Sequence, residues 1–148
     1  MIEPVLVPFK AEHWMTFVHF AQPYQQEFRA ALHKENGGPA FTAVLDNNVV
    51  ACAGIIIHHK GMGYAWSIFE KNLIENKRLM VWVTRTVGRI LPDIKRSLAL
   101  HRIEMIVDAE EAKHHRWAEK LGFSQENGRA RMFTPDKHDV LRYEMVDK

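Results

Sequence analysis

Trp117-Ala118-Glu119-Lys120-Leu121-Gly122-Phe123 reads as the last turn of a helix and its stop signal. Gly122 is the residue that takes a left-handed conformation without a Cβ penalty, and Phe123 beyond it can fold back onto the helix it ends. Upstream, Ala109 to Leu121 forms that helix, with Asp108 as its expected cap, and Arg102 to Asp108 reads as the strand that feeds it. Downstream, two further strands are expected around Phe123 to Phe133 and Val140 to Val146. The C-terminal half is therefore a strand, a helix and two strands.

Before this unit lies a long amphipathic segment. Leu79, Met80, Val83, Val87, Ile90, Leu91, Ile94 and Leu98 form an apolar stripe at helical spacing, and Asn76 stands where a cap belongs. Pro92 removes the bond to Gly88 and is expected to kink or split the helix. Ahead of it the period changes to two. Ala40 to Leu45 and Val49 to His58 flank Asp46-Asn47-Asn48, which tolerates the left-handed backbone of a tight hairpin. After a turn bracketed by Gly61 and Gly63, Tyr64, Trp66, Ile68 and Glu70 share one face of a third strand. A helix that joins strands near residues 70 and 102 is a crossover, so those two strands should run parallel.

At the start, Val5, Val7 and Phe9 alternate in a short strand, at a sheet edge because Pro8 cannot donate to a ladder. Trp14, Phe17, Val18 and Ala21 mark one helix, ended or restarted by Pro23, and Tyr24, Phe28, Ala31 and Leu32 mark a second, closed by Gly37-Gly38-Pro39. The expected fold is α/β (α+β): one domain over residues 1–148, with a mixed, mostly antiparallel central sheet flanked by about four helices.

Composition bounds the rest. The chain has 148 residues, 47% hydrophobic and 26% charged, which excludes a disordered or fibrous chain. Its longest wholly small-or-apolar run, Val49 to Ile57, has nine residues, against roughly 20 for a membrane helix. No membrane partner is expected. No basic segment precedes an apolar stretch at Met1-Ile2-Glu3-Pro4, so no secretory signal is expected, and with Cys52 as the single cysteine the expected compartment is the reducing cytoplasm. Net charge is +2, yet from Lys77 to Arg102 seven basic residues face one acid, Asp93. Such a stripe attracts phosphate, or it is a solvated helix face. No helix-turn-helix, zinc or RNA-binding signature accompanies it, so no nucleic-acid partner is expected.

With these elements in place, the chain resembles the GNAT superfamily of acyl-CoA-dependent N-acyltransferases. The element order matches over nearly the whole chain. Ala118-Glu119-Lys120-Leu121-Gly122-Phe123 is similar to the family's tyrosine-glutamate-lysine-leucine-glycine-phenylalanine ending of the last helix, and a strand carrying Gly128 and Arg129 follows. The short length and the loops look most like small GNAT-like proteins encoded by tailed bacteriophages. The resemblance implies transfer of an acetyl group from acetyl-CoA, with CoA as the leaving product, to an amine of a small molecule or a protein. It implies a pantetheine arm between the fourth and fifth strands and a pyrophosphate at the start of the following helix. Here those positions are Ile68, Phe69, Lys71, Asn76, Lys77, Arg78 and Leu79. A helix N-terminus suits phosphate on physical grounds too, through unpaired N–H groups and the positive end of the dipole.

The chain departs from the family's pattern at three places. No glycine occurs between Gly63 and Gly88, where the family carries a glycine-containing phosphate loop. Ala118 stands at the tyrosine that protonates the departing thiolate, and Glu110 or Glu111 replaces an asparagine. The alternative is therefore a catalytically weakened binding module on the same fold, recognising a host or virion protein.

Transfer to an ammonium needs a base. Glu70, at the end of the central strand, is the expected one; its alternative is a surface partner for Lys60 or Lys71. His58 and His59 end the neighbouring strand and point to opposite faces, so His59 is a second candidate base or an exposed hairpin end. Tyr64, across the same turn, is a candidate acid or a packing aromatic. His114 and His115 lack metal-ligand spacing, and no metal is expected. Cys52, in an apolar strand, reads as a small buried hydrophobe. Trp14, Phe17, Tyr24 and Phe28 either line a substrate cleft or pack the core.

Overall fold

Pro8 sets the edge of the sheet. It ends β1 (Val5–Pro8), which stands first in the strand order and pairs antiparallel with one neighbour. In the computed structural model, which describes residues 3–18, 24–70, 75–134 and 137–147, helices α1 (Ala11–Val18) and α2 (Tyr24–Asn36) follow. Ala21 and Pro23 lie outside the described residues. β2 (Ala40–Leu45) and β3 (Asn48–His59) then form the predicted hairpin, in antiparallel register from Ala40 opposite Gly54 to Leu45 opposite Asn48. Asp46 and Asn47 make its turn at φ 50° and 64°, the left-handed pair of a type I′ hairpin. A second tight turn at Gly61, φ 87°, leads into β4 (Met62–Phe69), which already contains Gly63.

The crossover is α3 (Lys77–Ser97), followed by β5 (Arg102–Asp108), α4 (Ala112–Lys120), β6 (Ser124–Ala130) and β7 (Val140–Val146). The strand order is β1-β2-β3-β4-β5-β7-β6. β4 and β5 are parallel, as the crossover requires, with Met62–Tyr64 opposite Arg102–Glu104; β5 with β7 and β6 with β7 are antiparallel. The mixed, mostly antiparallel sheet with four helices is the fold the sequence predicts.

Two compact units are distinguished, Met1–Ile57 with Ala65–Val83, and His58–Tyr64 with Thr84–Lys148. The first has its own core of Phe9, Ala31, Cys52, Ile55, Trp66, Leu79 and Val83. The core of the second holds Leu91, Leu100, Ile103, Val107, Ala118, Phe123, Val140 and Tyr143. No helix among the described residues is long and apolar enough to cross a membrane.

The structure corrects four local expectations. The last helix starts at Ala112, three residues late, because Asp108 Oδ1 accepts the Glu110 N–H at 3.0 Å and closes a turn instead of capping a helix. Of the kink or split expected at Pro92, the split does not occur: α3 runs unbroken from Lys77 to Ser97. The proline costs one bond, to Gly88, and that residue is exposed with nothing near its Cβ position, so its carbonyl can turn to water. Leu32 and Leu98, read as part of apolar stripes, are exposed. The strand expected from Phe123 to Phe133 is shorter, because Phe123 belongs to the helix stop and Met132 turns at φ 50°.

Candidate functional site

The residues expected to hold acyl-CoA stand at the end of β4 and the start of α3. Asn76 caps α3: its side-chain Oδ1 accepts the Leu79 N–H at 3.2 Å, and its carbonyl accepts the Met80 N–H at 3.0 Å. Of the N–H groups that a helix start leaves over, Lys77 and Arg78 retain theirs without an acceptor inside the helix. Both residues are exposed, so two cationic side chains stand at the positive end of a 21-residue helix. Leu79 differs from its neighbours. Its side chain is in the core and its N–H is held by Asn76, so it supports the helix start without offering a free donor.

Ile68, Phe69 and Glu70 are half-buried at the end of β4. The Glu70 N–H donates to the Val50 carbonyl at 2.8 Å, which continues the pairing with β3 and fixes the backbone under the carboxylate. Lys71 lies outside the described residues.

The other two candidates belong to the second unit. His59 is exposed; its Nδ1–H donates to the Lys60 carbonyl at 3.1 Å, a tautomer that leaves Nε2 with the basic lone pair. Tyr64 pairs in register with Glu104, and burial, helped by that carboxylate, pushes its phenol up to about 12. A proton held so firmly makes Tyr64 a reluctant acid. Its ring partner is His58, at 5.9 Å between centroids. Cys52 is 1% exposed beside the Thr42 hydroxyl at 3.5 Å, and burial pushes its thiol up to about 11. It is the inert buried cysteine expected.

One cluster has no local signature in the sequence. Asp108, Glu110 and His138 bring three potential ligand atoms within 4.8 Å of one another. His138 Nδ1–H donates to Asp108 Oδ2 at 2.6 Å, its backbone N–H donates to Thr134 Oγ1, and its Nε2 lies 3.9 Å from Glu110. The Glu110 N–H and then His138 hold the Asp108 carboxyl below the usual carboxylate range. These bonds account for the cluster as the clasp that closes the loop before β7. Thirty positions separate Asp108 from His138, so no local spacing signals it.

Neither a family model nor a curated protein matches this sequence. Solved structures do match in shape. A GNAT-family acetyltransferase from Bacillus anthracis is 13% identical, with a TM-score of 0.69 over 98% of this chain and 95% of that one. A spermidine N-acetyltransferase variant from Vibrio cholerae is 16% identical, with a TM-score of 0.69 over 96% and 94%. A candidate phosphinothricin N-acetyltransferase is 14% identical, with a TM-score of 0.74 over 98% and 99%. At such identities the likeness establishes the fold, that of the GNAT acetyltransferases, and carries nothing on the resemblance to short phage-encoded members.

Proposed function

We propose that this chain is an acyl-CoA-dependent N-acyltransferase that moves an acetyl group from acetyl-CoA to an amine. One observation carries the reading: on a GNAT acetyltransferase fold, β4 leads into a long helix whose start is capped by Asn76 and flanked by exposed Lys77 and Arg78. That set of donors and cations fits a pyrophosphate. The pantetheine arm lies along the end of β4, at Ile68 and Phe69.

Acetyl-CoA supplies an activated carbonyl. Glu70, through water, takes a proton from the acceptor ammonium, and the neutral amine attacks that carbonyl carbon. The C–N bond forms, the C–S bond breaks with its electron pair leaving on the CoA sulfur, and the second proton shed by the nitrogen passes through water to that thiolate, giving the amide and CoA thiol. Replacing both Lys77 and Arg78 by alanine is expected to weaken acetyl-CoA binding about 5- to 30-fold, as two charges at a helix start are worth about 1–2 kcal/mol together. Equal affinity, measured by calorimetry, would reject the phosphate site. Glu70→Gln is expected to lower turnover about 100-fold or more with acetyl-CoA affinity kept. Release of CoA thiol in the presence of an amine panel measures it, and the buried Cys52 stays silent to the thiol reagent. Unchanged turnover would remove Glu70 from the chemistry.

A second reading, a catalytically weakened binding module for a protein partner, is favoured by Ala118. It is 0% exposed and has no proton to give where the family's tyrosine stands. Acetyl-CoA binding without turnover on any amine would favour it.

A further inference from the structure

Two tryptophans of the first unit hold a cation. The Lys34 Nζ lies 4.5 Å from the centroid of the Trp14 ring and 5.8 Å from that of Trp66, both within the roughly 6 Å over which an ammonium is attracted to an aromatic face. The two indoles are 5.8 Å apart at 71°, so they form the walls of a corner. Phe9 stands edge-on behind Trp66 at 5.0 Å and fixes that wall. Trp66 is 7% exposed, and its indole N–H is the one buried side-chain polar atom without a hydrogen-bond partner among the described residues. Lys34 and Trp14 are both half-buried, so the corner is reached from solvent along the lysine stem.

We propose that Trp14 and Trp66 form a binding box for a primary alkylammonium group, and that Lys34 is its internal occupant, displaced when an external amine binds. The placement of α2 supports a fixed occupant. Ala31, one turn before Lys34, is fully buried, and Glu35 Oε1 accepts the Ala11 N–H at 2.6 Å, tying the end of α2 to the start of α1. The box lies on the strand that leads to the candidate base, since Trp66 is on β4 and Glu70 follows the strand's last residue, four positions on. Its identification as the amine-recognising end of an acyltransferase rests on the function proposed above; the box itself does not.

The test needs no acyl-CoA, so failure of the box and failure of the acyltransferase reading are separable. Lys34→Met keeps the stem and removes the charge. n-Butylammonium chloride is titrated at constant ionic strength into wild type, Lys34→Met, and Lys34→Met with Trp14→Leu, with tryptophan fluorescence and calorimetry as readouts. The expected result is saturable one-to-one binding to Lys34→Met at least tenfold tighter than to wild type, lost in the double variant. Equal binding to wild type and Lys34→Met, or full binding by the double variant, would overturn the proposal. Should Lys34→Met be poorly folded, thermal melting of Lys34→Ala decides: n-butylammonium is expected to raise its Tm and leave wild type unmoved. Equal shifts, or none, would overturn it.

Discussion

Phe123→Ala is expected to lose about 3–5 kcal/mol of folding stability, the usual cost of truncating a buried aromatic ring. Phe123 is 4% exposed and follows Gly122, which stops α4 at φ 99°. The Phe123 N–H bonds to the Ala118 carbonyl at 3.1 Å and the Gly122 N–H to Glu119 at 3.0 Å, the paired closure of a Schellman stop. The ring therefore both fills the core of the second unit and fixes where α4 turns into β6. Chemical denaturation of wild type and variant measures the loss. A change under about 1 kcal/mol would mean that α4 is not docked through this residue. The neighbouring Leu121→Ala should cost less, since Leu121 is half-buried at the C-cap and not in the core.

Arg102→Ala is expected to lose about 3 kcal/mol at pH 7, near the low end for removing one partner of a buried ion pair. Arg102 bonds the carboxylates of Glu104, Glu126 and Glu144, the first at 2.8–2.9 Å, and each of the four side chains is only 25–30% exposed. Arg102 holds the Glu126 carboxyl below its usual range. A depressed folded-state pKa means that this stabilisation is present above the ordinary glutamate value of about 4.3 and is lost as pH falls below it. Without Arg102 the three carboxylates repel one another and gain protons more readily when folded than when unfolded, so acid relieves the variant while it weakens wild type. The stability gap should narrow from pH 7 to pH 4 in urea denaturation. A gap that stays constant or widens would show that the three carboxylates do not depend on Arg102.

These two sites differ in how far the sequence reveals them. The Gly122–Phe123 stop, the Asp46-Asn47 turn and the Asn76 cap are each decided by residues within a few positions, so local chemistry makes them legible. The parallel pairing of β4 and β5 follows from the length of the crossover alone. Arg102 is different. Its partners Glu126 and Glu144 become neighbours only when β6, β7 and β5 lie side by side. The start of α4 is misplaced for the same reason, because the fold commits the Asp108 carboxylate to the Glu110 N–H and to His138. In the candidate site, Asn76, Lys77 and Arg78 are legible as a capped, basic helix start. Which of His58 and His59 meets Tyr64 across the turn is not. The corner of Trp14 and Trp66 joins a helix to a strand fifty-two positions away and leaves no periodic trace beyond an apolar stripe.

The most direct test is calorimetric titration of the protein with acetyl-CoA at two salt concentrations, with dephospho-CoA and a short oligonucleotide as controls. Saturable one-to-one binding that prefers acetyl-CoA and survives added salt is the predicted result, because a capped helix start offers directed N–H donors besides screened charge. No binding at millimolar ligand, or binding shared equally with the oligonucleotide and abolished by salt, would contradict acyl-CoA as the substrate of this fold.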